Sequence, residues 1–281
     1  MITFLIVAHN EAEYVENVIA QTCDAISPGD RVLLVDSAST DDTAALGRAR
    51  RIEVVDAPLG KGAAMVVGAR RVTTPWLCFL DGDLMAREPN VPRALRRSVE
   101  RADDDTIMVV GDFAEPPPGA VLSNTIAVYG PLVRALVPEA AGRFGTHPLS
   151  GFRALRPWLV DANLPPDFGA ETYLNLLVAL SGSPWTVSHL GTFPQRFRYH
   201  GADMGREIAK AVLDVAVSCD RLAPELRGAW EEWVGRVTAE IAGYHAAEED
   251  REAHRARIMR LAATPLPPRV PRAGREDITF R

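Results

Sequence analysis

Short apolar runs alternate with amphipathic stretches through the first part of the chain. Residues 2–8 read as a strand, and residues 11–23 follow with Tyr14, Val15, Val18, Ile19 and Cys23 at helical spacing. Residues 31–35 form a second apolar run, and Asp36 to Thr43 then offer cap residues to a helix over about 43–51. A third strand is expected over 52–55, with Gly60-Lys61-Gly62 opening a helix through about residue 72. Trp76-Leu77-Cys78-Phe79-Leu80 is apolar without alternation and ends in Asp81-Gly82-Asp83. Such a run suits a parallel strand covered on both faces. Strands alternating with helices imply an α/β fold, a Rossmann-like mostly parallel sheet flanked by helices, with right-handed crossovers that gather the loops along one edge.

The pattern changes further on. A strand over about 106–113 is followed by Pro116-Pro117-Pro118-Gly119, which breaks the chain, and residues 120–136 show mixed helical periodicity. An apolar helix running to Leu180 is expected after residues 168–172, then a strand over 185–189, an amphipathic helix over 205–222 and one or two more over 224–259. In the last of these, Leu226, Trp230, Trp233, Val234, Val237 and Ile241 are spaced for one buried face. The expected organisation is an α/β domain over 1–204 with halves 1–115 and 116–204, a helical extension over 205–263 and a Pro/Arg-rich tail over 264–281. Appended helices of this kind dock on their own domain or form a homodimer.

Composition refines this in three ways. The 281 residues are 47% hydrophobic, ample for a core. The formal net charge of -6 argues against nonspecific nucleic-acid binding, although eight arginines against three acids after residue 250 make the end of the chain basic. Cys23, Cys78 and Cys219 lack metal-ligand spacing, as expected for reduced thiols in a cytoplasmic protein. Residues 1–8 are too short, and lack the basic leader, for a signal peptide or membrane span. Contact with a membrane is expected only if a substrate is lipid-linked.

Four loops at the strand ends then define one site. Asn10 and Glu11, Asp36 to Asp42, Gly60 to Gly62, and Asp81 to Asp83 together offer acceptors for a ribose or base, amides and a cation for phosphate, and carboxylates for a metal. Two carboxylates separated by one small residue can meet one hard cation, leaving its other positions to water and phosphate oxygens. Lys61 is one of two lysines in an arginine-rich chain, the other being Lys210. Plainer readings stand beside these: a simple turn for Asp-Gly-Asp, a solvated helix start for Lys61. The spacing around Lys61 excludes a nucleoside-triphosphatase loop.

In order, Val7-Ala8-His9-Asn10-Glu11, Val35 to Thr43, Gly60-Lys61-Gly62 and Asp81-Gly82-Asp83 resemble glycosyltransferase family 2 and its relatives, of GT-A fold. Within that group the chain is most similar to glucosyl-3-phosphoglycerate synthases and dolichyl-phosphate mannose synthase-like enzymes, over roughly residues 1–220. The resemblance implies a hexosyltransferase using a nucleotide sugar, preferably UDP-linked, with Mg2+ or Mn2+ and a small-molecule acceptor. Ala8, Asn10 and Glu11 would line the nucleoside, with Glu11 on the ribose. Asp36 and Ser37 would meet the base, Lys61 and Gly62 the diphosphate. Asp81 and Gly82 would meet the donor, and Asp83, helped by Asp81, the metal.

The resemblance extends to the second half of the site. Thr146 to Ala154 matches the segment beneath the donor sugar, with Ser150 and Gly151 against the sugar and the Leu149 carbonyl beside the anomeric carbon if configuration is retained. Glu171 would act as base if the enzyme inverts, or orient hydroxyls if it retains. Arg196 and Arg198 would clamp an anionic acceptor or the leaving diphosphate, and His200 is the expected third metal ligand. Ordinary turn, helix-start and surface roles remain open for these residues. The phosphoglycerate enzymes carry Gly-Arg-Val-Thr where this chain has Gly119-Ala120-Val121-Leu122, which argues against phosphoglycerate as acceptor. The alternatives are a polyprenyl-phosphate glycosyltransferase, a sugar nucleotidyltransferase and a noncatalytic nucleotide-sugar binding protein.

Overall fold

The computed structural model describes residues 1–116, 121–196, 202–242 and 251–269. The chain forms two compact units, one of Met1–Ala120 with Gly142–Tyr199, the other of Val121–Ala141 with His200–Arg281. Residues 121–141, expected within the α/β domain, therefore group with the C-terminal helices.

The first unit holds a seven-stranded sheet in the order β3-β2-β1-β4-β6-β5-β7. Its strands are β1 Ile2–Ala8, β2 Arg31–Ser37, β3 Glu53–Ala57, β4 Trp76–Asp81, β5 Met108–Ala114, β6 Arg153–Leu155 and β7 Trp185–Thr192. All neighbours are parallel except β6, which runs antiparallel to β4 and β5. The apolar run in β4 is buried from Trp76 through Leu80, as a strand with both faces covered requires. The mostly parallel α/β sheet expected from the alternation is present. The three residues of β6 were too short a pattern to announce a strand, and this one reverses direction.

The helices of this unit are α1 Val15–Ala25, α2 Thr43–Ala49, α3 Lys61–Ala69, α4 Val91–Glu100 and α6 Ala170–Ser181. The first starts later than its apolar spacing suggests, because Tyr14 and Val15 donate to the Glu11 carbonyl in a turn before the helix. α4 was not among the expected elements, although Val91, Leu95 and Val99 stand at helical spacing. Its signals are local: the Asn90 side chain caps the Arg93 amide at 2.8 Å, Pro92 sits in the first turn, and Val91, Leu95 and Val99 face the core.

The second unit contains α5 Gly130–Leu136, α7 Asp203–Ser218, α8 Arg227–Ala242 and α9 Arg251–Ala262. Thr125–Tyr129 winds as a π-helix before α5, and this change of pitch accounts for the mixed periodicity there. Trp230 and Trp233 are buried, and Arg221 grips Glu139 with two hydrogen bonds of 2.9 and 2.6 Å. No helix among the described residues is long and apolar enough to cross a membrane.

Candidate active site

The carboxyl ends of β1, β2, β3, β4, β5 and β7 share one edge of the sheet. Short polar links tie the first loops together there. The Thr40 amide donates to Asn10 Oδ1 at 2.8 Å, the Asn10 amide to Ser39 Oγ at 2.9 Å, and the Glu11 amide to Thr43 Oγ1 at 2.7 Å. Glu11 is buried and accepts from Arg196 Nη1 at 3.1 Å, while the Arg196 guanidinium lies 4.9 Å from the Tyr14 ring centroid. Ser37 Oγ donates to the Pro58 carbonyl and accepts from the Gly60 amide, each at 3.0 Å. Asp36 is buried with Oδ2 near the Ser39 amide and Oδ1 without a hydrogen-bond partner among the described residues.

Lys61 sits at the centre. Its ammonium lies 2.9 Å from Asp81 Oδ1 and 2.6 Å from Glu171 Oε1, joining the end of β4 to the first turn of α6. Burial alone would lower its pKa, but the Asp81 and Glu171 charges outweigh that and hold it above the ordinary lysine value. Lys61 is therefore a fixed cation. Gly60 adopts φ +128° before it, a conformation open to glycine, and a Cβ on Gly62 would meet the Pro165 carbonyl at 1.8 Å. The next amide, of Ala63, donates to the Pro166 carbonyl at 2.9 Å. That amide is closed to a phosphate, which narrows the expected cradle of helix amides.

Gly82 donates from its amide to the Val7 carbonyl at 2.9 Å, against Ala8, and the turn carries Asp83 beyond the strand end in a half-buried position. Across from Asp81 runs the loop before β6. A turn closes from the Ser150 amide to the His147 carbonyl at 2.9 Å, placing Leu149 within it. A Cβ on Gly151 would lie 2.2 Å from both Asp81 carboxylate oxygens, so only glycine lets the backbone approach this closely. The structure thus brings Lys61, Asp81, Gly151 and Glu171 into direct contact, with Ser150 and Leu149 adjoining. Glu11 and Arg196 form a second pair on the same edge. Arg198, His200, Gly119, Ala120 and the tail from residue 270 lie outside the described residues.

Two features were missed in the sequence. Asp112, at the end of β5, accepts from the Thr146 amide at 2.9 Å, the His147 amide at 3.1 Å and His147 Nδ1 at 2.9 Å. Burial pushes its pKa up, but the Thr146 amide and His147 outweigh it and hold Asp112 below the usual aspartate value. The His147 ring stacks on Phe113 at 3.9 Å. Asn175, inside α6, looked like one more residue of an apolar helix. It is fully buried and its Nδ2 donates to the Pro148 carbonyl at 2.7 Å. A polar amide among leucines was the available signal.

Comparison with known proteins gives this geometry its class. Residues 3–134 match the model of Glycosyl transferase family 2. An uncharacterized glycosyltransferase of Mycobacterium tuberculosis is 29% identical over 191 residues, covering 67% of this chain and 83% of that protein. Glucosyl-3-phosphoglycerate synthase from Mycobacterium tuberculosis, crystallised with uridine diphosphate, superposes with a TM-score of 0.64 at 25% identity, covering 77% of this chain and 80% of that one. Mannosyl-3-phosphoglycerate synthase from Rubrobacter xylanophilus shares the fold with a TM-score of 0.68 at 21% identity, over 79% and 75% of the two chains. The protein is a glycosyltransferase of GT-A fold. The match to the family 2 model spans residues 3–134, just under half of the chain.

Proposed function

We propose that the protein transfers a hexose from a UDP-linked sugar to a small-molecule acceptor, with Mg2+ or Mn2+ as cofactor. The observation that carries this is Lys61 shared between Asp81 and Glu171, with Gly151 against Asp81. A departing diphosphate needs a fixed positive charge, and a hexose needs acceptors for its hydroxyls. Lys61 serves the first need; Asp81 and Glu171 serve the second. Because Glu171 shares Lys61 with Asp81, we read it as orienting the donor sugar. Glu11, held by Arg196, would accept from the ribose, and the unpaired Asp36 Oδ1 from an N–H of the base. The crystallised relative with uridine diphosphate supports the choice of nucleotide.

The metal fits the residues present. Asp81 and Asp83 stand one residue apart at the end of β4 and offer the hard carboxylate oxygens that such a cation takes. Among the described residues no three His, Cys, Asp or Glu side chains are grouped to hold an ion. Asp83, helped by Asp81, would supply the protein ligands, with His200 as the expected third, and leave the remaining positions to phosphate oxygens and water. Bound there, the ion would offset charge developing on the leaving diphosphate. The glucosyl-3-phosphoglycerate synthase was also crystallised with Mn2+, UDP-glucose and phosphoglyceric acid. With Ala120 and Leu122 where the phosphoglycerate enzymes carry Arg and Thr, a less anionic acceptor than phosphoglycerate is the better fit here.

Calorimetric titration with UDP, GDP, UDP-glucose, UDP-GlcNAc and GDP-mannose, each with Mn2+ and with chelator, tests the reading. Metal-dependent binding of a UDP-sugar is expected. Preference for a GDP-sugar would replace the donor, and no binding at all would remove the assignment.

A further inference from the structure

Arg153 is the least conspicuous charge in the sequence and the most buried in the structure. It lies in β6 with no exposed surface. A buried guanidinium is tolerated only where its donors are satisfied. Here Nε and Nη2 both donate to the Ser150 carbonyl, at 3.0 and 2.6 Å, and Nη2 also reaches the Pro148 carbonyl at 3.3 Å. Nη1 donates to Asn175 Oδ1 at 3.2 Å and lies 3.4 Å from the Glu171 carbonyl. Asn175 in turn donates to the Pro148 carbonyl.

These contacts close a ring. Asp81 touches Lys61, Lys61 touches Glu171, the Glu171 backbone meets Arg153, Arg153 holds Ser150, and Gly151 presses on Asp81. We infer that Arg153, with Asn175, is a positioning residue that sets the loop 148–151 and the first turn of α6 at one fixed separation around the donor sugar. The carbonyls on either side of Leu149 are drawn to the same clamp, so the direction of the Leu149 carbonyl is set with them. This rests on the donor-site reading above. Arg suits the task because its planar fork serves several carbonyls at once; Lys offers a single nitrogen on a flexible stem and cannot span them.

The test compares wild type, Arg153→Lys and Asn175→Ala for UDP affinity, UDP-glucose affinity and UDP release from UDP-glucose, all with Mn2+. The clamp acts on the sugar side, so UDP affinity should stay within about twofold of wild type. Turnover should fall about 100-fold in Arg153→Lys, as for a displacement of about 1 Å at the reacting centre. A fall of about tenfold is expected in Asn175→Ala, which keeps the guanidinium and stands in if Arg153→Lys does not fold. Equal turnover in the folded variants would overturn the clamp alone. Parallel loss of UDP and UDP-glucose affinity would make Arg153 merely structural. A wild type that binds no nucleotide sugar would overturn the donor-site reading, and the clamp's role with it.

Discussion

Asp81 and Glu171 meet the same ammonium on supports of different kinds. Asp81 ends a strand whose neighbours in the sheet are locked by regular register; its loop is tied to β1 by the Gly82 amide on the Val7 carbonyl, and the neighbouring loops are joined by pairs such as Asn10 with Thr40 and Ser37 with Gly60. Glu171 lies in the first turn of a helix after a long irregular segment, and a buried guanidinium and a buried amide join that helix to the loop 148–151. Removing a single link from the first support leaves others in place. The second depends on few groups, each with several partners, so substitutions there should disturb geometry at a distance.

The largest effect expected is on the strand side. Asp83→Ala should reduce metal-stimulated UDP-sugar turnover about 100- to 1,000-fold while the melting curve stays close to wild type, the scale of losing one electrostatic stabiliser of the transition state. Full activity would move the metal site away from the end of β4. Next comes Gly151→Ala, where a methyl group placed 2.2 Å from both Asp81 oxygens must push the two supports apart. A loss of about 100-fold in kcat with a smaller change in UDP affinity is expected, and steady-state kinetics beside UDP titration would show it.

The smallest concerns Asp112, which anchors the loop away from Lys61. Asp112→Asn should cost about 1–2 kcal/mol at neutral pH, read from urea unfolding, because the Thr146 and His147 amides lose a charged acceptor. Since the folded pKa of Asp112 is depressed, its contribution is present above the unfolded value near ~3.9 and lost as pH falls through the folded value. The gap between wild type and variant should therefore narrow below about pH 4. A gap that is constant with pH would assign the loss to packing.

The same division explains what could be seen in the sequence. The Asp81-Gly82-Asp83 turn, Gly60-Lys61-Gly62 and the Asp36 to Asp42 cap region are local signals at the ends of periodic runs, and they fall at the expected strand edge. The α4 helix was legible and overlooked: Val91, Leu95 and Val99 stand at i, i+4 and i+8 with arginines between them, behind an Asn90 cap. β6 is three residues long, too short for any period to show. Arg153 and Asn175 acquire meaning only when a strand and a helix 22 residues apart pack together, a contact no local spacing encodes. Asp112 and His147 are likewise joined across 35 residues.

Lys61 is where the two supports meet, so the most direct measurement compares its effect on diphosphate with its effect on nucleoside. UDP and uridine should be titrated into wild type and Lys61→Ala in the presence of Mn2+, with a thermal melt to confirm folding. If Lys61 anchors the diphosphate, UDP affinity should fall about 30- to 100-fold, as expected for loss of a charge-assisted interaction, and uridine affinity should not change. Unchanged UDP affinity in the folded variant, or equal losses for both ligands, would contradict the account.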